Sequence, residues 1–183
     1  MWPPFLLRLT AAFAQSTVAL GTGNRSELGA MGFIIRDAVE ADAETAFHLI
    51  HQLATHDEID EYCQITLEQF TEAAFGEKPR FKILVAEENG VPVGLATYFD
   101  RFHIWFGEEL IEIDDLFVRP SFRGHGIGNK LLEAIGKMAK ERGVHVRWSI
   151  ERENFSTIAF YKRKGVEYHT KGICLWAPED INL

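Results

Sequence analysis

Three glycines at positions 124, 126 and 128, set between Arg123 and Lys130, are the part of this chain best suited to chemistry, and that chemistry is the holding of phosphate. Glycine reaches backbone angles closed to other residues and lets a ligand come close to main-chain N–H groups. Where a helix follows such a loop, its unpaired N–H groups and its dipole attract an anion. The elements that must position the loop lie on either side. Upstream, Ile111, Ile113, Leu116 and Val118 recur among carboxylates with the Ile and Val content of a strand. Downstream, Ile127, Leu131, Ile135 and Met138 recur every three to four residues, which predicts a helix with one apolar face that ends near Gly143.

Spacing excludes two familiar phosphate binders. A dinucleotide fingerprint needs Gly-x-Gly-x-x-Gly, and here the third glycine comes one residue early; a nucleotide P-loop needs glycine where Asn129 precedes Lys130. The pattern that fits is Arg-x-x-Gly-x-Gly, formed by Arg123, Gly126 and Gly128. A second segment, Asn154-Phe-Ser-Thr-Ile-Ala-Phe-Tyr-Lys-Arg-Lys-Gly165, reads as a short helix capped by Ser156 or Thr157 and stopped by Gly165. Val144 to Ile150 is a strand candidate between the two. Strand, glycine loop, helix, strand and helix therefore follow in order from residue 111 to 165, as in a right-handed crossover.

In this order the chain resembles the GNAT superfamily of acyl-CoA-dependent N-acetyltransferases. Arg123 to Gly128 is similar to its pyrophosphate loop, and Phe160 to Gly165 to its Phe-Tyr-x-x-x-Gly signature. Gly76 to Pro79, Leu84 to Glu87 and Asp114 to Val118 extend the likeness to the spermidine/spermine branch, which also acts on diamines and thialysine, over residues 33 to 176. The resemblance implies an α/β fold. Its mixed, mostly antiparallel central sheet would have six to seven strands, helices on both faces and splayed central strands. It also implies acetyl-CoA as co-substrate, no metal, a small cationic amine as acceptor, and a homodimer. CoA would be held by Leu116, Phe117 and Val118 of the splayed strand, by the loop residues Arg123, Gly124, His125, Gly126, Ile127 and Gly128, and by Asn154, Tyr161, Lys162 and Arg163.

Acetylating an amine makes three demands on side chains. An alkylammonium titrates near ~10, so a carboxylate or a carboxylate-bound water must take its proton before it attacks. Asp114 and Asp115 are the candidates, and Asp114 stands where the branch has its base glutamate, one methylene shorter and so suited to a relaying water. Adjacent strand residues point to opposite faces, so the two serve one atom only if a bulge intervenes. The ordinary alternative leaves them solvated or pairs them with Arg119 or Arg123. Second, backbone N–H groups at Phe117 or Val118 would face the thioester carbonyl, and Tyr161 would protonate the departing sulfur. Packing alone would also explain a tyrosine on a buried helix face, helix capping would explain Asn154, and a basic last helix turn would explain Lys162 to Lys164. Third, the acceptor must be recognised. His56-Asp57-Glu58-Ile59-Asp60-Glu61 carries four acids where the branch lines its amine cleft, making Asp57 and Glu58 substrate candidates beside Asp114 and Asp115; a solvated loop is the ordinary reading. One acidic position of the branch is missing in the shorter stretch after Tyr168, where Lys171 would repel a second ammonium; this weakens spermine or spermidine and leaves a shorter diamine, thialysine or another amino acid open.

Composition fits one such domain. A chain of 183 residues with 46% apolar and 25% charged content can bury a full core. Its net charge of −8 disfavours nucleic acid and favours a cationic substrate. Without Arg8, Arg25 and Glu27, residues 31–183 carry 17 basic and 26 acidic residues, so the acidity belongs to that portion. Residues 1–30 read as a disordered or mis-started extension, with Met31 a candidate start and an organelle-targeting peptide the alternative; otherwise the chain is expected in the cytoplasm. No apolar run approaches the ~18 residues of a membrane span. Ala43, Ala46, Ile50 and Leu53 give a first helix, Thr66 with Gln69 caps a second that ends near Gly76, and Phe81–Glu87 and Val91–Phe99 form a hairpin about Asn89-Gly90. Ile173–Ala177 reads as a last strand. His48 and His51 lack a third metal ligand, and Cys63 and Cys174 lack metal spacing. Two readings of other kinds stay open: protein N-acetylation, which needs an open groove, and an acyl-CoA sensor, which does not need Tyr161 and Asp114 together.

Overall fold

Five strands cross one sheet in chain order in the computed structural model, which describes residues 32–172, 174 and 176–181. β1 (Phe33–Asp37), β2 (Lys82–Glu88), β3 (Val91–His103) and β4 (Glu108–Val118) pair antiparallel, and β5 (His145–Trp148) runs parallel to β4. Helices α1 (Ala43–His56) and α2 (Leu67–Phe75) connect β1 to β2, α3 (Ile127–Arg142) connects β4 to β5, and α4 (Phe155–Arg163) comes after β5. Local chemistry explains the joints. Asn89 and Gly90 take φ of 52° and 81°, the two left-handed residues of a tight hairpin turn. Thr66 and Gln69 form the expected capping box of α2.

The sheet has helices on both faces because its strands alternate. Leu84 and Ala86 of β2, with Ile111, Ile113, Leu116 and Val118 of β4, pack on Ile127, Leu131, Ile135 and Ala139 of α3. Ile83, Val85, Leu95 and Phe117 turn the other way onto Ala46, Leu49 and Leu53 of α1 and Phe70 and Ala74 of α2. Burying each large aliphatic side chain contributes about 1.5–3 kcal/mol, and a one-residue slip of β4 would turn its whole row from α3 onto the α1 and α2 face, where it does not fit.

Two irregularities in β4 break the regular sheet. Thr97 pairs with Asp115 but Tyr98 pairs with Ile113, which leaves Asp114 as the extra residue of a bulge. β5 pairs with β4 only over Leu110–Ile113, so beyond Ile113 the two strands part. Five strands are present among the described residues, where the resemblance implies six to seven. Of the expected last strand, Cys174, Trp176 and Ala177 are in no strand, and Ile173 and Leu175 lie outside the described residues. Local bonds replace the ladder there: the Trp176 indole donates to Asp180 O at 3.1 Å, and a 3₁₀ turn begins at Pro178. The expected extension, residues 1–30, also lies outside the described residues.

Candidate active site

The glycine loop is open where a ligand would lie. Gly124 and Gly126 have φ of 81° and 80°, and a Cβ built on either would meet no atom within 4 Å. Gly126 is the N-cap of α3 and Gly128 is buried in its first turn, which carries no acid, so the helix end presents its N–H groups to an anion unopposed. Arg123 is held at the mouth of this cradle: its Nε donates to Val118 O at 2.9 Å and its guanidinium stands 5.4 Å over the Phe117 ring. His125 is exposed, its Nδ1 3.3 Å from Phe122 O.

The gap between β4 and β5 exposes main-chain groups whose direction can be assigned. Arg119 N–H donates to Val93 O at 3.0 Å and Asp115 N–H to Thr97 Oγ1 at 3.0 Å, so both point toward β3. Alternation along the strand then turns the N–H groups of Leu116 and Val118 into the gap and that of Phe117 toward β3. Of the two amides expected to face a carbonyl, the geometry keeps Val118 and removes Phe117, whose side chain packs under α1.

One wall of the gap is acidic. Asp114, bulged out, is exposed but lies in a crevice; desolvation and then Glu112 raise its carboxyl above the usual range. Asp115 accepts from Thr97 Oγ1 at 2.9 Å, and burial, helped by the charge of Asp114, pushes it up to about 7 against that bond. The two titrate as a pair. Among the described residues neither is in an ion pair, so the ordinary alternative of pairing with Arg119 or Arg123 is not what the fold builds. The facing wall is apolar. Tyr161, 4% exposed on α4, meets Trp148 edge-on at 4.9 Å, and Trp148 pairs with Ile113 at the last rung before the strands part. Burial raises the phenol above its usual value.

The sequence matches the Acetyltransferase (GNAT) family over residues 44–166, a span that takes in the cradle, the gap and Tyr161. The chain belongs to the GNAT acetyltransferase family. Members use acetyl-CoA, and the chain is an N-acetyltransferase. It is 30% identical over 147 residues to thialysine N-epsilon-acetyltransferase from Bos taurus, covering 75% of this chain and 86% of that one. Spermidine/spermine N(1)-acetyltransferase-like protein 1 from Homo sapiens is 29% identical over 114 residues, which is 58% of this chain and 16% of that protein. The fold superposes on a possible acetyltransferase from Clostridium difficile 630 with a TM-score of 0.67 at 21% identity, covering 79% of this chain and 97% of the other.

In this acetyltransferase the expected amine-binding acids divide. Asp57 is 5% exposed, bonded through Oδ1 to His56 Nδ1 at 3.0 Å, and its charge contributes to the rise of Asp115. Glu58 sits exposed at φ 58° and exerts no such effect, so the geometry brings Asp57 to the acidic wall and leaves Glu58 at the loop tip. Cys63 also borders this wall, its thiol raised by burial and then by Asp115. Asn154, and not Ser156 or Thr157, caps α4: its side-chain Oδ1 accepts from the N–H of Thr157, three residues on, at 3.3 Å, whereas Ser156 and Thr157 already lie inside the helix. Lys162 and Arg163 are exposed in the last turn of α4, with Lys162 Nζ 5.6 Å from the Tyr168 ring.

Thr157 is a buried neighbour of Tyr161 that the sequence did not single out for the site. It lies one turn before Tyr161 on the same helical face, is 1% exposed, and its hydroxyl has no hydrogen-bond partner among the described residues. The i, i+4 spacing from Tyr161 was the available signal. Among the described residues no three His, Cys, Asp and Glu side chains are grouped to hold a metal ion; His51 instead lies 3.8 Å from Cys63, and His48 4.0 Å from Glu44.

Proposed function

We propose that this acetyltransferase moves an acetyl group directly from acetyl-CoA to the primary amine of a small cationic substrate: a diamine, a polyamine or a thialysine-like amino acid. The observation that carries the reading is the parting of β4 and β5 at the Ile113–Trp148 rung, with Asp114 bulged on one wall and Tyr161 buried on the other. The cradle fits the co-substrate, since Gly124 and Gly126 leave open space that any side chain would fill. When bound, acetyl-CoA supplies an activated acyl carbon with a thiolate leaving group.

The chain's own residues then divide the work. Amides of residues 124 to 128 hold the diphosphate, with Arg123 beside them. The Val118 N–H, turned into the gap, aims at the thioester carbonyl and stabilises charge as it grows there. Asp114, coupled to Asp115, takes the ammonium proton through a water and frees the lone pair that forms the C–N bond. As the C–S bond breaks, Tyr161 gives its phenolic proton to sulfur, and burial keeps that proton on the phenol until then. Asp57 and Asp115 draw in the cation. Lys171 would repel a second distant ammonium, which favours a short diamine or thialysine, in keeping with the activity named for the bovine relative.

Acetyl-CoA consumption measured over diamines, polyamines, thialysine and free amino acids tests the reading. Turnover with thialysine or a short diamine, at least tenfold above spermine in kcat/KM, is the expected result. Turnover confined to peptide N-termini would overturn it.

A further inference from the structure

His56, the last residue of α1, belongs on sequence to the acidic run, yet its ring reaches across the cleft to the CoA loop. Its Nε2 lies 2.9 Å from the Arg123 guanidinium and its Nδ1 3.0 Å from Asp57 Oδ1. Arginine has only donors, so Nε2 accepts from Arg123 and the ring proton sits on Nδ1, where it is donated to Asp57. The ring also stands edge-on to Phe117 at 6.5 Å, the same side chain that Arg123 covers from 5.4 Å. Phe117 is 1% exposed, a fixed floor for both.

We infer that His56 is a positioning residue for acetyl-CoA: it holds Arg123 in the orientation that serves the diphosphate cradle, and Asp57 holds His56 in the tautomer that can do so. Arg123 has five N–H donors in a rigid plane. One is spent on Val118 O and one on His56, and these two bonds together fix the plane of the group. The other donors stay available to a ligand at Gly124 to Gly128. Without His56 the guanidinium keeps one hydrogen bond and its place over Phe117 but can turn about that bond, and ordering it again falls to the ligand. Asp57 also acts electrostatically on Asp115, so one short chain of contacts joins the amine side of the cleft to the nucleotide side.

This inference rests on the proposed CoA-dependent activity, and the test separates the two. CoA dissociation constants and steady-state constants are measured for the full chain, His56→Phe, His56→Gln, Arg123→Ala and the His56→Phe/Arg123→Ala double variant. Phenylalanine keeps the ring on Phe117 and removes both nitrogens; glutamine can accept from Arg123 while donating to Asp57. The expected result is a roughly tenfold rise in the CoA dissociation constant and in the acetyl-CoA KM for His56→Phe, with kcat within about twofold. Glutamine should restore binding to within about threefold. The double variant should bind no more weakly than Arg123→Ala alone, since His56 acts through that residue. Unchanged CoA binding in His56→Phe, failure of glutamine to rescue, or a fully additive double variant would overturn the inference while leaving the enzyme reading intact. A wild-type chain that binds no CoA would overturn both.

Discussion

The two walls of the gap between β4 and β5 are governed by one physical effect and answer it oppositely. On the α4 wall, burial against Trp148 raises the Tyr161 phenol, so it stays protonated across the neutral range and can only give. On the β4 wall, burial raises the Asp114 and Asp115 carboxyls, and it brings Asp115, at about 7, to where a base can both hold and release a proton near neutrality. Withdrawing solvent from an acid makes it a weaker acid in either case. What differs is the starting value: the same push moves a phenol out of the working range and a carboxylate into it. The gap thus needs no unusual residue to separate its giver from its taker.

Removing the giver should have the largest effect. Tyr161→Phe keeps the ring on Trp148 and deletes one oxygen, so kcat should fall about 100-fold while the CoA dissociation constant stays within twofold. Calorimetric CoA binding beside initial rates checks it; unchanged turnover would make the α4 wall a packing surface only. Removing the taker should cost less, because water can still carry the proton outward. Asp114→Asn should lower kcat/KM for the amine about 30-fold and flatten the acid limb of its pH profile. A limb that persists near pH 7 would transfer the proton to Asp115.

How much of this arrangement the sequence discloses depends on the range of the interactions involved. The cradle at Arg123 to Gly128, the Asn89-Gly90 turn and the Thr66–Gln69 box are legible because each is built from neighbours within a few residues. Tyr161 is legible through its signature and the apolar face it shares with Ile158. Contacts between distant segments are not. The bulge at Asp114 comes from register against β3, and the approach of His56 to Arg123 spans 67 positions. Periodicity also misses one member of the first helix's apolar face: Leu49 is fully buried beside the expected Ala43, Ala46 and Leu53, while Ile50 packs at the margin of the core. At β3 the pattern ends at Phe99 while the strand runs to His103, since ion pairs such as Arg101 with Glu112 at 2.9 Å replace apolar alternation on the exposed ribbon.

Stability offers a sharper probe of the β4 wall than rate does. Asp115 in the folded chain holds its proton to about pH 7, whereas an unfolded aspartate releases it near its ordinary value of 3.8. Between those values the native state binds more protons, so stability falls as pH rises through the window and levels off above about 7. Below the unfolded value both states are protonated and the group contributes nothing. Asparagine stays neutral throughout and can still accept from Thr97. Asp115→Asn should therefore stabilise the fold by up to about 4 kcal/mol at about pH 8 and leave it nearly unchanged at about pH 4. Denaturant melts at the two pH values decide this; equal effects at both would mean that Asp115 is not the buried charge on this wall.

The α4 wall allows the matching measurement, with the smallest expected effect. Thr157 buries a hydroxyl that finds no hydrogen-bond partner among the described residues, and leaving such a group unmet costs about 1–3 kcal/mol. Valine has the same shape and a helix propensity close to threonine's, so the exchange leaves the helix itself nearly unaffected. Thr157→Val should thus raise stability by about 1 kcal/mol in denaturant melts of the ligand-free protein, an increment with no dependence on pH, in contrast to Asp115→Asn. If the hydroxyl is kept because acetyl-CoA meets it, the same variant should bind CoA several-fold more weakly, and the stability gain should vanish at saturating CoA. Gain without loss of affinity would assign Thr157 to packing and confine the chemistry of the α4 wall to Tyr161.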